Sequence, residues 1–123
     1  MKGLLIVVLI VGAYWWFWGR TDSAVNVIEA QLQAIDRRDF ASAYDYLATE
    51  TKRTMTPETL QEQFGKYAPV MNRSKTQFWS RSIENDVATI SGTIESLDTK
   101  QTKARYVLVR EADHWAIKSF SFQ

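Results

Sequence analysis

Apolar residues recur along this chain first at helical and then at strand spacing, after an opening run that no charge interrupts. Val25, Ile28, Leu32 and Ile35 are spaced three, four and three apart on one face of a helix, with Glu29, Gln33 and Asp36 elsewhere on it. Thr21-Asp22-Ser23 supplies N-cap residues directly after Gly19, so this helix is expected to start near Ser23. Asp39 is expected to cap a second, shorter helix on which Phe40, Ala43, Tyr44 and Leu47 share a side. Thr56, Pro57 at the first helical position and Glu58 in the first turn mark a third, with Leu60, Phe64 and Tyr67 recurring until Pro69 stops it.

From Lys75 to Phe122 the pattern predicts four successive strands folded into a meander. Glu84-Asn85-Asp86 is a group of turn formers between the first two strands, and a two-residue turn at Asn85-Asp86 sets Ile83 opposite Ala88, Arg81 opposite Ile90, Trp79 opposite Gly92 and Gln77 opposite Ile94. A turn at Ala112-Asp113 likewise sets Arg110 opposite Trp115, Leu108 opposite Ile117 and Tyr106 opposite Ser119. Val107, Val109, Phe120 and Phe122 then fall on the other parity, so this last hairpin reads as apolar on both faces. Two accounts of the surplus face stand open: a covering helix or membrane segment, or a partner surface carried by those four residues.

The opening run changes character along its length, aliphatic from Leu4 to Val11 and then aromatic at Tyr14, Trp15, Trp16, Phe17 and Trp18. Such rings favour the membrane–water interface, so residues 1–20 are expected to form a single-pass anchor with Tyr14, Trp15, Trp16 and Trp18 at one boundary. As a helix, the uncharged stretch from Gly3 to Trp18 rises about 24 Å, a short span for a hydrocarbon core of about 30 Å. A signal peptide cleaved after the small residues Val11-Gly12-Ala13 and a buried core segment are the competing readings. Lys2 favours a cytoplasmic N-terminus, whereas Arg20, Arg37 and Arg38 oppose it; the expected location is the cell membrane, with the domain over 21–123 on the extracytoplasmic side.

Length and charge narrow the function. The 123 residues leave room for one domain beyond the anchor, and without Lys2 and Arg20 the remainder carries 13 basic against 14 acidic residues. No basic stripe of the kind that neutralises phosphates is present, so no nucleic-acid partner is expected. The absence of cysteine excludes disulfides, thiolate metal sites, cysteine nucleophiles and a lipid-modified cysteine. One histidine, His114, excludes multi-histidine metal sites within the chain, and no cofactor is expected. His114 could still act as a general base, but its place at a predicted turn beside Asp113 is that of an ordinary exposed residue. The carboxylate pairs Glu84/Asp86 and Glu111/Asp113 bracket turns, where turn chemistry accounts for them. No phosphate loop, dinucleotide fingerprint or nucleophile elbow occurs, and Asn72-Arg73-Ser74 has the form of a glycosylation sequon, meaningful only in a eukaryotic secretory setting.

Helix, short helix, helix and a long meander is an order that resembles the nuclear-transport-factor-2-like (cystatin-like) α+β superfamily, which includes steroid isomerases and dehydratases. Val27 to Ile35, Arg38-Asp39-Phe40 and Ala43-Tyr44 are similar to the opening of that superfamily. Phe64 with Tyr67-Ala68-Pro69-Val70, Arg105 to Arg110 and Trp115-Ala116-Ile117 resemble a bacterial family known as domain of unknown function 4864. The resemblance covers Asp22 to Phe122 and implies an α+β fold in which three helices, preceded by the transmembrane helix, pack on a curved four-stranded antiparallel sheet as a cone-like roll.

A cone implies an interior. Arg81 and Trp79, placed inward by the pairing above, together with Tyr44 and Trp115, are the candidate ligand-binding residues. Tyr44, Asp45 and Tyr46 could set a phenol beside a carboxylate, although adjacent helical residues diverge by about 100° and cannot all point inward. No catalytic set is assembled. The expected function is a membrane-anchored, non-enzymatic binding or assembly module, its partner being a second copy or another membrane protein; the alternative is a small-molecule binder or an isomerase- or hydrolase-like enzyme using the cone.

Overall fold

The computed structural model describes residues 23–123, a span in which five helices precede a four-stranded antiparallel sheet. Helix α1 covers residues 23–36 and buries Ala24, Ile28, Gln31, Leu32, Ala34 and Ile35. It ends as a Schellman motif, with Arg38 N donating to Ile35 O and Asp39 N to Ala34 O, both at 2.9 Å. Arg38 takes the left-handed position at φ 61°, where glycine is usual. Its guanidinium donates to Ile35 O at 2.9 Å and Met71 O at 2.8 Å, so a backbone conformation unfavourable for arginine is offset by two side-chain bonds.

Helix α2, Phe40–Asp45, starts where expected: the Asp39 carboxylate accepts from Ser42 N at 3.2 Å and from the Ser42 hydroxyl at 2.8 Å. Helix α4, Pro57–Gly65, is capped by Thr56, whose hydroxyl accepts from Thr59 N, and buries Leu60 and Phe64. Two helices join the three expected. Helix α3, Thr49–Thr54, buries no residue, and the short α5, Ala68–Met71, has Pro69 inside its first turn rather than beyond a helix end.

Strands β1 (Arg73–Glu84), β2 (Val87–Ser96), β3 (Gln101–Glu111) and β4 (His114–Phe122) pair in sequence order. Asn85 and Asp86 both have positive φ, 50° and 63°, the conformation of a two-residue hairpin turn of the primed type. The expected pairs Ile83–Ala88 and Arg81–Ile90 form, as do Leu108–Ile117 and Arg110–Trp115. Further from each turn the register differs, and a bulge is the reason both times. Trp79 is an extra residue between Phe78 and Ser80, so Phe78, not Trp79, stands opposite Gly92 and Gln77 stands opposite Thr93. Lys118 is an extra residue in β4, so Tyr106 pairs with Phe120 rather than Ser119.

These bulges decide which side chains are core. Even-numbered residues of β2 and β3 from Ala88 to Leu108 face the helices and are buried, and the β4 bulge brings Phe120 and Phe122 to the same side. The last hairpin therefore carries its two phenylalanines on the core face, with Val107, Val109 and Ala116 left on the other. Among the described residues no helix is long and apolar enough to cross a membrane. The anchor expected over residues 1–20, with Tyr14, Trp15, Trp16 and Trp18, lies outside the described residues.

Candidate functional site

The sheet has two faces of different character. On the helix side the rings of Phe64 and Phe120 stack at 4.9 Å between centroids, Phe122 lies 5.4 Å from Phe64 and 5.1 Å from Tyr67, and Tyr106 closes the group 6.0 Å from Phe120. Side chains thus pack α4 against the last hairpin, beside a hollow of about 170 Å³ lined by Gln63, Lys66, Tyr67, Phe120, Ser121 and Phe122. Three buried polar atoms have no partner among the described residues: Gln31 Oε1, Tyr106 Oη and Trp115 Nε1. Burial pushes the Tyr106 phenol well above the ordinary tyrosine range, so it stays protonated.

The opposite face carries the odd-numbered residues of β2 and β3. It runs from Val87, opposite Val109, through Thr89 opposite Val107 and Ser91 opposite Arg105, to Thr93 opposite Lys103. Trp79 lies across this face, 62% exposed, with Nε1 donating to Thr93 Oγ1 at 3.1 Å. The bulge that displaces it from the ladder also turns it outward. Beside it is a hollow of about 240 Å³ lined by Trp79, Ser91, Lys103, Arg105, Ser121 and Gln123. A second, of about 410 Å³, shares Lys103 and Gln123 and adds Thr93 and Gln101. Neither Lys103 nor Arg105 forms an ion pair among the described residues, whereas Lys75 on the same sheet pairs with Glu95 at 3.3 Å.

The β4 edge is covered in its first half. Ala48 N donates to Ile117 O at 2.8 Å and Ile117 N to Tyr46 O at 2.9 Å, a short parallel bridge beside the bulge. The Thr51 hydroxyl donates to the Lys118 carbonyl at 2.8 Å, and Thr49 binds Glu111 through both its N–H and its hydroxyl. Helix α3 docks through these polar contacts, which cover the edge at Ile117 and Lys118.

The expected ligand residues are not brought together. Tyr44 packs beside the core and donates its hydroxyl to Lys52 O at 2.9 Å. Trp115 is buried near the β3–β4 turn with the Arg110 guanidinium 5.7 Å from its ring. Arg81 is exposed opposite Ile90, and Trp79 is on the solvent face. Of the four expected partner residues, Val107 and Val109 are half-buried on the open face, while Phe122 belongs to the core cluster and Phe120, half-buried, packs against it. His114 is exposed at its turn. The sequence groups Lys103 and Arg105 with Lys100 only as a solvated basic strand and loop, and it does not single out Ser91 and Thr93. Their common odd parity is the signal that groups them, but Trp79 joins them only through a bulge that the sequence does not announce.

A family model described as Domain of unknown function (DUF4864) matches residues 20–122. The chain belongs to this family. No curated protein matches the sequence. Among solved structures, a DUF4783 family protein from Bacteroides ovatus superposes with a TM-score of 0.53 at 12% identity, covering 76% of this chain and 90% of that one. At that identity the likeness speaks for the fold alone. No group of three or more histidine, aspartate or glutamate side chains that could hold a metal occurs among the described residues of this DUF4864 domain.

Proposed function

We propose that this DUF4864 chain is a non-enzymatic binding or assembly module, tethered to the cell membrane by residues 1–20, with its domain on the extracytoplasmic side. Its working surface is the open face of the sheet. One observation carries the reading: an aromatic cluster packs the helix side of the sheet, while Trp79, Val87, Val107 and Val109 keep partly exposed apolar surface on the opposite face. The order of helices and meander supports membership of the nuclear-transport-factor-2-like superfamily. The partner is a second copy or another membrane protein meeting the valine end of the face. Replacing Val107 or Val109 by Glu leaves the core untouched and is expected to lower the assembled mass of the full chain measured by light scattering in detergent. An unchanged mass in both variants overturns the assembly reading. Protease added to intact spheroplasts is expected to digest the domain; protection places it in the cytoplasm instead.

A small ligand enclosed within the fold is the second reading, favoured by the partnerless buried atoms Gln31 Oε1, Tyr106 Oη and Trp115 Nε1. Native mass spectrometry of the purified full chain decides it, since a co-purified small molecule supports the pocket and a bare chain mass removes it.

A further inference from the structure

We propose that the Lys103 end of the open face is a saccharide site, and that its ligand is an acidic oligosaccharide built of uronic acid units. This rests on the open face being the working surface and names a ligand for the end of it away from the valines.

Trp79 is the first observation. A tryptophan 62% exposed is unusual, and this one is not loosely placed: its Nε1 is held by Thr93 Oγ1 at 3.1 Å, which lays the ring beside the hollow. An indole fixed in advance stacks on a flat ligand with little loss of conformational freedom. The C–H face of a pyranose is such a surface. Charge is the second observation. Lys103 and Arg105 are two residues apart on one strand and one face, which separates them by about 7 Å, and neither has an acidic partner among the described residues. Unpaired cations beside an aromatic ring suit a carboxylate carried on the stacked unit. The lining is the third. Ser91, Ser121, Thr93, Gln101 and Gln123 offer hydroxyls and amides, the groups that exchange hydrogen bonds with sugar hydroxyls.

Size and continuity set the length. The hollow of about 240 Å³ beside Trp79 is large enough for one sugar ring, and the hollow of about 410 Å³ that shares Lys103 and Gln123 with it gives room for a second. A single-stranded nucleic acid also stacks on aromatic rings, but its affinity comes from neutralising many phosphates, and two free cations on a domain of nearly balanced charge supply few.

Isothermal titration of the full chain in detergent with hexagalacturonate, maltohexaose and a single-stranded oligonucleotide tests the proposal. Hexagalacturonate is expected to bind, weakening as salt rises, with at least tenfold weaker binding of maltohexaose. Trp79→Ala and the double change of Lys103→Glu with Arg105→Glu should each reduce hexagalacturonate affinity at least tenfold, while Trp79→Phe retains most of it. All these positions are on the solvent face, so unchanged circular dichroism is expected to accompany the loss. Equal binding of the neutral sugar, preference for the oligonucleotide, or no binding of hexagalacturonate overturns the proposal. The Val107→Glu light-scattering result separates the two ideas: if mass responds to that change while hexagalacturonate fails to bind, the module reading survives and the saccharide site does not.

Discussion

Tyr106 stands opposite Phe120 across the last hairpin, with ring centroids 6.0 Å apart, because Lys118 occupies a bulge between Ile117 and Ser119. That one extra residue moves two phenylalanines from the solvent side to the core side. Deleting Lys118 is expected to turn the bulged pair into a regular ladder that still sets Phe120 opposite Tyr106 and Phe122 opposite Ala104, so cooperative thermal melting should survive the deletion. Phe122→Ala, which removes a ring only 5% exposed, should destabilise by about 3 kcal/mol, against less than about 1 kcal/mol for Val109→Ala. Urea unfolding of the two variants checks the contrast.

The first hairpin makes a matching prediction at Gly92. A Cβ there would land on the Gln77 carbonyl and lie 3.0 Å from the Phe78 ring, so the strand passes close to its neighbour only because the residue is glycine. Gly92→Ala is expected to cost about 1–3 kcal/mol. By disturbing the bulge, it should also change the solvent quenching of the Trp79 fluorescence in a chain whose other tryptophans are replaced by phenylalanine.

Much of this could be read in advance. The apolar spacing of α1, the Asp39 and Thr56 caps and the Asn85-Asp86 turn each rest on local chemistry, and each forms as expected. Pairings within a few residues of each turn were legible for the same reason. Beyond a bulge the alternation of faces inverts, and nothing in the composition of Trp79 or Lys118 marks them as the extra residues. Helix α3 escaped because it has no buried side; Thr49 and Thr51 dock it by hydrogen bonds to β3 and β4, a mode that leaves no apolar period. The surface site was hidden by the same inversion, since Trp79 was assigned to the interior.

Asp39 gives a pH prediction. Hydrogen bonds from the Ser42 hydroxyl and N–H hold its carboxyl below the usual carboxylate range. A carboxyl whose folded pKa is depressed stabilises the fold above its unfolded pKa, and that contribution is lost as pH falls through the folded value. Asp39→Ala is therefore expected to lower the melting temperature at pH 7, with the gap from the parent chain narrowing as pH falls below about 4. Asp39→Asn, which still caps, should sit between them.

Arg73 ties the start of β1 to α1, with Nη2 donating to Asp36 Oδ2 at 2.6 Å and Nη1 to Glu29 Oε2 at 3.2 Å. Burial opposes its charge, but the two carboxylates outweigh that and raise its pKa. Arg73→Ala should destabilise by about 2 kcal/mol, and Arg73→Lys should recover only part of this because one ammonium does not reproduce the forked geometry. Thermal unfolding at low and high salt provides the measurement.

The chain has no cysteine, so a single introduced thiol reports on one position without background. Maleimide labelling of Thr89→Cys and Val107→Cys on the open face, with Ala41→Cys and Glu62→Cys on the helices as references, compares native membranes with dilute purified protein. The account predicts that the sheet-face thiols are protected in native membranes and react freely after purification, while the helix thiols react alike in both. Equal labelling of the sheet face in the two states, or protection confined to the helices, would contradict it.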